Sequence, residues 1–372
     1  MANKNKRRKP YSFLARLVAT ISWCTVILLT LCSLSVLVSP RLFGYVGVFG
    51  LGFPFFLFGV LTMLFVSLLL APRTAWIPLL GLLLNFISIR NYYPVNISSP
   101  PPKGSVKVLS FNTAAYGGGK VHDAGRKIAE YMAKSKADII CVQEADVDAS
   151  YMKNDILPLM RRHTPHSDTV RDGRSSTLQC FSRWPIAEKK LIASEGNNVC
   201  AVFKILLGPT DTLHLINVHL KSVDLSNDER NEFSGIVHRK DSLNSEVLQK
   251  KGRTIVSKLS ASSEKRAQQV DQLAAYLEAH QGENIILCGD FNDTPISYAH
   301  HRVSTFLKDC YAATGNGLGR SFMRYGMIVR IDNIFCSPSH WKPFSCRVET
   351  DINLSDHYPI SCYLKRKRDN SK

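Results

Sequence analysis

The first 122 residues contain no aspartate or glutamate and twelve lysines or arginines, and three apolar runs dominate them: Phe13 to Val38, Leu42 to Leu70 and Ala75 to Ile89. A helix needs about 20 residues to cross the hydrocarbon core of a bilayer. The first two runs reach that length, whereas the third is short and holds Pro78. Ser39-Pro40-Arg41 and Ala71-Pro72-Arg73 separate the runs, each supplying a turn-forming proline and one arginine. The first run is too long for a cleaved signal peptide, and a second follows at once, so the segment reads as a retained anchor of two to three transmembrane helices. Lys4, Lys6, Arg7, Arg8 and Lys9 should stay cytoplasmic by the positive-inside rule. Three spans then put the rest of the chain on the far side of the membrane, and two return it to the cytoplasm. The spans carry no acidic residue to relay protons or bind ions, which argues against a transporter.

Of the 47 basic and 30 acidic residues in the chain, the part after residue 122 keeps 35 and 30. Its small excess allows an anionic substrate without demanding one. Ten cysteines are scattered with no CxxC pair, so a cysteine zinc site is not expected and buried free thiols are. Residues 1–91 form the anchor. Residues 92–104, with Pro94 and Pro100-Pro101-Pro102, read as a stiff extended linker that holds the next domain off the bilayer.

From Val106 short apolar runs alternate with amphipathic stretches, the rhythm of a mixed α/β domain over residues 105–366, with a polar tail at 367–372. The pattern predicts strands at 106–112, 138–143, 177–181, 199–207, 212–218, 284–288 and 330–335. It predicts helices at 123–134 and 263–280, the second capped by Ser263. Residues from about 224 to 262 read as a polar, partly mobile insertion. Polar residues close each strand: Ser110-Phe111-Asn112, Gln143-Glu144, Asn217-Val218-His219, Gly289-Asp290-Phe291-Asn292, Ile331-Asp332 and Ser355-Asp356-His357. Gathered on one sheet edge, they would form a single polar pocket.

That set suits phosphate-ester hydrolysis, which needs a hard cation, an activated water and donors to the charged transition state. Glu144, Asp356 and the amide oxygen of Asn112 are the oxygen ligands that Mg²⁺ or Mn²⁺ prefers. His357 is the candidate base, held in its tautomer by Asp332, while Asp290 and Asn292 position water or phosphate and His219 donates to the phosphate or leaving group.

The ordered strings LSFNT, IICVQE, NVHL, GDFNDTP, RIDNIF and SDHYPI resemble those of the endonuclease/exonuclease/phosphatase superfamily, from about Val106 to Leu364. The resemblance implies a four-layer α/β (α+β) fold, two packed β-sheets flanked by helices, with the site at one end. It makes Glu144 the principal metal ligand with Asn112 and Asp356 near the cation, pairs Asp332 with His357, and gives Asp290 and Asn292 the nucleophile and phosphate. His219 resembles a second histidine of the deoxyribonuclease-like and sphingomyelinase-like branches. FSRWPI and GNGLGRSF also resemble family segments, whereas Asn333 and Ser321 depart from the common aromatic and threonine. A membrane segment of this kind occurs in bacterial-type members, so the expected location is a bacterial-type cell membrane. The expected substrate is a phosphate ester (nucleic acid, phospholipid or small phosphoester), with the lipid bilayer as the anchor's partner. The alternative is an inactive membrane-anchored scaffold of the same fold.

Overall fold

Side chains along a strand point alternately to its two faces, so the phase of each apolar run decides which layer it builds. The computed structural model describes residues 12–118, 123–148, 152–173, 177–223, 229, 245–322, 324 and 329–367. Among the described residues twelve strands follow in order: β1 (Val106–Asn112), β2 (Ile139–Gln143), β3 (His166–Arg171), β4 (Thr177–Ser182), β5 (Ile186–Glu195), β6 (Asn198–Leu206), β7 (Thr212–His219), β8 (Ile285–Asp290), β9 (Lys308–Asp309), β10 (Asp332–Cys336), β11 (Trp341–Val348) and β12 (Ile360–Arg366). They form two six-stranded sheets, β11-β12-β1-β2-β4-β3 and β5-β6-β7-β8-β10-β9. One parallel pair lies inside each sheet, β1 with β2 and β7 with β8, and every other pairing is antiparallel.

One phase of each strand fills the space between the sheets. Val108, Ile139 and Cys141 meet Leu213, Leu215, Ile286 and Cys288 there. The other phase faces helices. Leu109, Phe111, Ile140 and Val142 cover Ile128 and Met132 of the helix Ala124–Lys134. Ile216, Val218, Ile285 and Leu287 cover Val270, Leu273 and Leu277 of the helix Ser245–Ala279. The result is the expected four-layer sandwich. The cysteines are free as expected, and all but Cys24 are buried.

In residues 1–91, the expected anchor, Phe13–Leu37 and Tyr45–Leu70 are helical, long and apolar enough to cross a membrane. Phe55, Phe58, Phe65, Leu68 and Leu83 point outward and exposed, a surface suited to lipid rather than water. The third apolar run is two helices, Trp76–Leu84 and Phe86–Tyr92, bent by 62°. The bend falls at Asn85, whose amide donates to the Gly81 carbonyl (2.8 Å) and to Thr30 Oγ1 (3.1 Å). Ala71 packs beside Val18, Gly81 beside Val26 and Asn85 beside Thr30, so this third segment runs parallel to the first and returns to the side where the first ends.

Two sequence expectations need correction. The long helix does not start at Ser263: it is continuous from Ser245 to Ala279, and Ser263 is buried within it. The small residues Ser260 and Ser263 are there because Gly44 and Gly47 of the anchor lie against them, too close for a Cβ to intervene. Residues 224–228 and 230–244 of the expected insertion lie outside the described residues, as do 368–372 of the tail and the basic cluster at Lys4–Lys9. Nor does the segment after Tyr93 work as a spacer. It lies along the domain, with Asn96 Nδ2 donating to the carbonyls of Ala312 and Gly315, and Gly317 N donating to Pro94 O. Arg41 pairs with Asp271 at 3.3 Å, and Ile296 enters the anchor's apolar cluster with Val26, Leu29, Phe53 and Tyr92. Anchor and domain are therefore packed on each other.

Candidate active site

The strand ends turn polar in the phase that faces between the sheets. Val108, Ser110 and Asn112 share that phase on β1, as do Cys141 and Gln143 on β2, Leu215, Asn217 and His219 on β7, and Cys288 and Asp290 on β8. Register brings them level: His219 lies opposite Asp290 in the parallel pair, Asp332 opposite Asp290 in the antiparallel one, and Asn112 opposite Gln143 in the other sheet. The apolar layer between the sheets thus ends in a polar cap.

Beneath the cap the sheets are bolted together by amides. Gln143 Nε2 donates to Asn217 Oδ1 across the interface (2.7 Å) and to Ser110 Oγ (3.1 Å), and Asn217 Nδ2 donates to the carbonyls of Val142 and Gln179. Above them, Asn112 Nδ2 bridges Glu144 Oε1 (3.0 Å) and Asp290 Oδ2 (3.1 Å). His357 Nδ1 is 2.9 Å from Asp332 Oδ2, and its Nε2 lies 3.7 Å from Asp290 Oδ2. His219 Nε2 lies 3.5 Å from Glu144 Oε1 and 3.8 Å from Asp290 Oδ2. Asn292 donates its backbone N–H to Asp290 Oδ1 (2.8 Å) and its amide to Leu220 O (2.9 Å).

Two backbone departures aim these groups. Glu144 and Asn292, each just past a strand end, adopt φ of 52° and 49°. Left-handed backbone is tolerable for Asn but unfavourable for Glu, the kind of local strain found where function fixes a side chain. Gly289, at φ 140°, passes the Val218 carbonyl where any side chain would collide. Ser321 Oγ accepts from the N–H groups of both Ile331 and Asp332, at 3.0 Å each, and so fixes the residue pair that opens β10.

The charges shift one another. Burial pushes the Asp290 carboxyl up to about 6, against the pull of His357. Burial disfavours the imidazolium of His357, yet the carboxylates of Asp332 and Asp290 outweigh it and raise His357 to about 10. Four carboxylates, Glu144, Asp290, Asp332 and Asp356, thus share the cap with two imidazoles. Asp332 Oδ1 is buried with no hydrogen-bond partner among the described residues, and Asp290, Asp332 and His357 present ligand atoms within 4.8 Å of one another. An oxygen-rich, anionic site with an orphaned carboxylate oxygen fits a hard divalent cation.

Every residue expected from the sequence lies at this end, but not all in the expected posture. The Asn112 amide oxygen accepts from Ala114 N (3.1 Å), so its NH₂, rather than its oxygen, faces Glu144. Asp356 pairs with Arg324 (3.4 Å) and accepts from Ser355 Oγ (3.3 Å). Arg171 lines the open cleft of about 440 Å³ beside Glu144 and His219, where it pairs with Asp148 at 2.7 Å. Arg183 bonds Asp138 at the other end of β2, and Arg174 lies outside the described residues. The sequence reading gave no role to Gln143 and Asn217, although both stood at strand ends in the right phase. It also missed Arg330, fully buried two residues before Asp332, because nothing local announces that a charged side chain is buried.

The sequence profile described as the endonuclease/exonuclease/phosphatase family matches residues 109–357, and one described as a domain of unknown function matches residues 15–92. No curated protein matches the chain. Among solved structures, the catalytic domain of human nocturnin with bound sulfate is similar at 15% identity over 72% of this chain and 97% of that one, with TM-score 0.49. An endonuclease/exonuclease/phosphatase family protein of Bacteroides thetaiotaomicron is similar at 19% identity, over 72% and 98%, with TM-score 0.47. Truncated Caenorhabditis elegans TDP2 is similar at 15% identity, over 70% and 97%, with TM-score 0.47.

Proposed function

The chain belongs to the endonuclease/exonuclease/phosphatase family, and from that premise we propose that it is a membrane-anchored phosphodiesterase dependent on Mg²⁺ or Mn²⁺. The observation that carries the reading is the convergence of Asn112, Glu144, His219, Asp290, Asp332 and His357 on one polar cap. Glu144 would hold the cation, with Asp356 and Asn112 as further donors, the latter after its amide turns to present oxygen. When bound, the cation neutralises phosphoryl oxygens and eases the build-up of charge on the leaving group.

The protein's own groups divide the remaining work. Asp332 accepts a hydrogen bond from the Nδ1–H of His357, which leaves Nε2 facing the site. As an imidazolium, His357 donates from Nε2 to a phosphoryl oxygen. Asp290, held by Asn292 and Asn112, orients the attacking water and takes its proton. His219, beside Glu144, donates toward the phosphate or leaving group.

Membrane attachment narrows the substrate. The loop that follows Asp290 places Ile296 in the anchor's apolar cluster, so the cap stands next to the end of the helices rather than on a long tether. A phosphodiester presented at a bilayer surface, such as a phospholipid headgroup, is the class best served by that placement, because tethering raises its local concentration. The return of the third apolar segment supports three crossings, and together with the positive-inside rule it favours an extracytoplasmic domain on a bacterial-type membrane. A reporter fused after Pro102 tests this, and cytoplasmic reporter activity would refute it.

The deciding experiment measures hydrolysis by the full chain in detergent or nanodiscs, with Mg²⁺, Mn²⁺ or chelator, on phospholipid diesters, plasmid DNA and a generic phosphodiester. Metal-dependent turnover lost in Glu144→Gln and His357→Ala is expected, with phospholipid preferred. Preference for DNA would replace the lipid reading by a nuclease. Turnover undiminished in both variants would overturn the site, and metal binding without turnover on any diester would favour a scaffold.

A further inference from the structure

A second cluster of ligating side chains lies at the opposite end of β7 from His219. His214 sits near the start of that strand, five residues and about 17 Å of extended chain from His219. The turn that joins the long helix to β8 brings His280 and Glu283 to it. One ligand atom from each of the three lies within 4.8 Å of the others. From this arrangement we infer a zinc-type metal site formed by His214, His280 and Glu283, distinct from the phosphodiesterase centre.

Hydrogen bonds prepare both rings for a cation. His280 Nδ1 lies 2.8 Å from the Tyr276 carbonyl, which can only accept, so Nδ1 carries the proton and the lone pair is on Nε2. His214 Nδ1 lies 2.9 Å from the Tyr276 hydroxyl, which can accept from it and leave Nε2 free to ligate. That Nε2 faces Glu283 Oε2 at 3.1 Å. Tyr276 therefore orients both imidazoles, one through its carbonyl and one through its phenol, and its ring stacks on His280 at 4.0 Å. Gly282, at φ 91°, makes the turn that places Glu283, and the Asn284 carbonyl accepts from His214 N to hold β7 in register with it. Lys204, opposite His214 on β6, is paired with Glu188 at 2.7 Å.

Two imidazole nitrogens and one carboxylate form a donor set for Zn²⁺, with a position left for water, and a poor one for Mg²⁺, which prefers oxygen alone. The absence of paired cysteines excludes only thiolate zinc sites. Bound here, the ion would join the C-terminal end of the long helix to the start of β7.

The test is calorimetric titration of Zn²⁺ into the detergent-solubilised full chain, stripped of metal and held in excess Mg²⁺, with Co²⁺ absorption as a spectroscopic readout. We expect one Zn²⁺ equivalent that weakens by more than about tenfold in His280→Ala and also weakens in Glu283→Gln, with the Co²⁺ bands reduced in parallel. Glu283 is half-exposed, so Glu283→Gln decides the matter if His280→Ala does not fold. A Zn²⁺ isotherm and Co²⁺ spectrum unchanged in the folded variants, or no Zn²⁺ bound by the parent chain, would overturn the inference. Neither result bears on hydrolysis at the other end.

Discussion

Replacing Arg330 by methionine should cost the domain about 5 kcal/mol, because its side chain is closed off from solvent. The side chain is fully buried between the anchor and the second sheet. Its guanidinium donates to Asp309 Oδ2 (3.0 Å), to the Asn91 carbonyl at the end of the anchor (3.1 Å) and to Asn333 Oδ1 (2.5 Å), and it lies 4.8 Å from the centre of the Tyr311 ring. Methionine fills much of the volume and removes every donor. Leaving a buried carboxylate without its cation costs about 3 to 5 kcal/mol. The low end applies, because Asp309 keeps His300 Nε2 (2.9 Å) and the N–H groups of Tyr311 and Ala312. Each orphaned oxygen of Asn91 and Asn333 adds about 1 kcal/mol. At about 2–4 °C per kcal/mol for a domain of this size, the melting midpoint should fall by about 10–20 °C. Thermal unfolding of the detergent-solubilised chain followed by circular dichroism measures it. If the buried charge is the cause, the added change Asp309→Asn should cost less in Arg330→Met than in the parent. A loss below about 1 kcal/mol, or strict additivity, would refute this account of how anchor and domain are joined.

Three further outcomes follow from the same contacts. Ser321→Ala leaves the buried N–H groups of Ile331 and Asp332 without an acceptor, so it should cost about 2 kcal/mol in urea unfolding and lower kcat; Ser321→Thr should restore both. At Gly50 a Cβ would stand 2.5 Å from the Ile296 carbonyl oxygen, so Gly50→Ala should shift the loop behind Asp290 and lower kcat at least about tenfold while leaving metal affinity near that of the parent; equal turnover would show that the loop does not lean on the anchor. Burial opposes the charge of Asp309, but Arg330 and His300 hold its carboxyl well below the usual range. Its contribution is then complete above about pH 4, the unfolded value, and is lost as pH falls toward the folded one, so the midpoint should drop on acidification more steeply in the parent than in Arg330→Met.

How much of this was visible in the sequence depends on the distance over which each signal acts. Strands β1, β2, β7 and β8 announced themselves because they are buried on both faces, which leaves nearly continuous apolar runs ended by polar residues. β5 did not, since its middle is Glu188, Lys189 and Lys190 on an exposed sheet edge, and β11 carries Pro343, which speaks against a strand. Asn112, His219 and Asp290 were legible because each closes a strand and Glu144 because it follows one, where alternation fixes direction; Asp332 instead opens β10 and His357 precedes β12, and both were legible only from the strings around them. What alternation cannot give is partnership. Asn112 turns its NH₂ to two carboxylates only because Ala114 N claims its oxygen, and Ser263 resembles a helix cap until Gly47 is brought against it. Arg330 and Asn91 are 239 residues apart, and Gly50 and Ile296 meet only after anchor and sandwich have both formed. The residues that join the N-terminal helices to the loops beside Asp290 and Asp332 therefore carry no local pattern. A reading that takes the anchor as a detachable tether follows naturally from the sequence, and the buried Arg330 and the packed Ile296 are the physical reasons to abandon it: removing the anchor would uncover an apolar side chain and leave a buried arginine without one of its acceptors, both within six residues of Asp290 or Asp332.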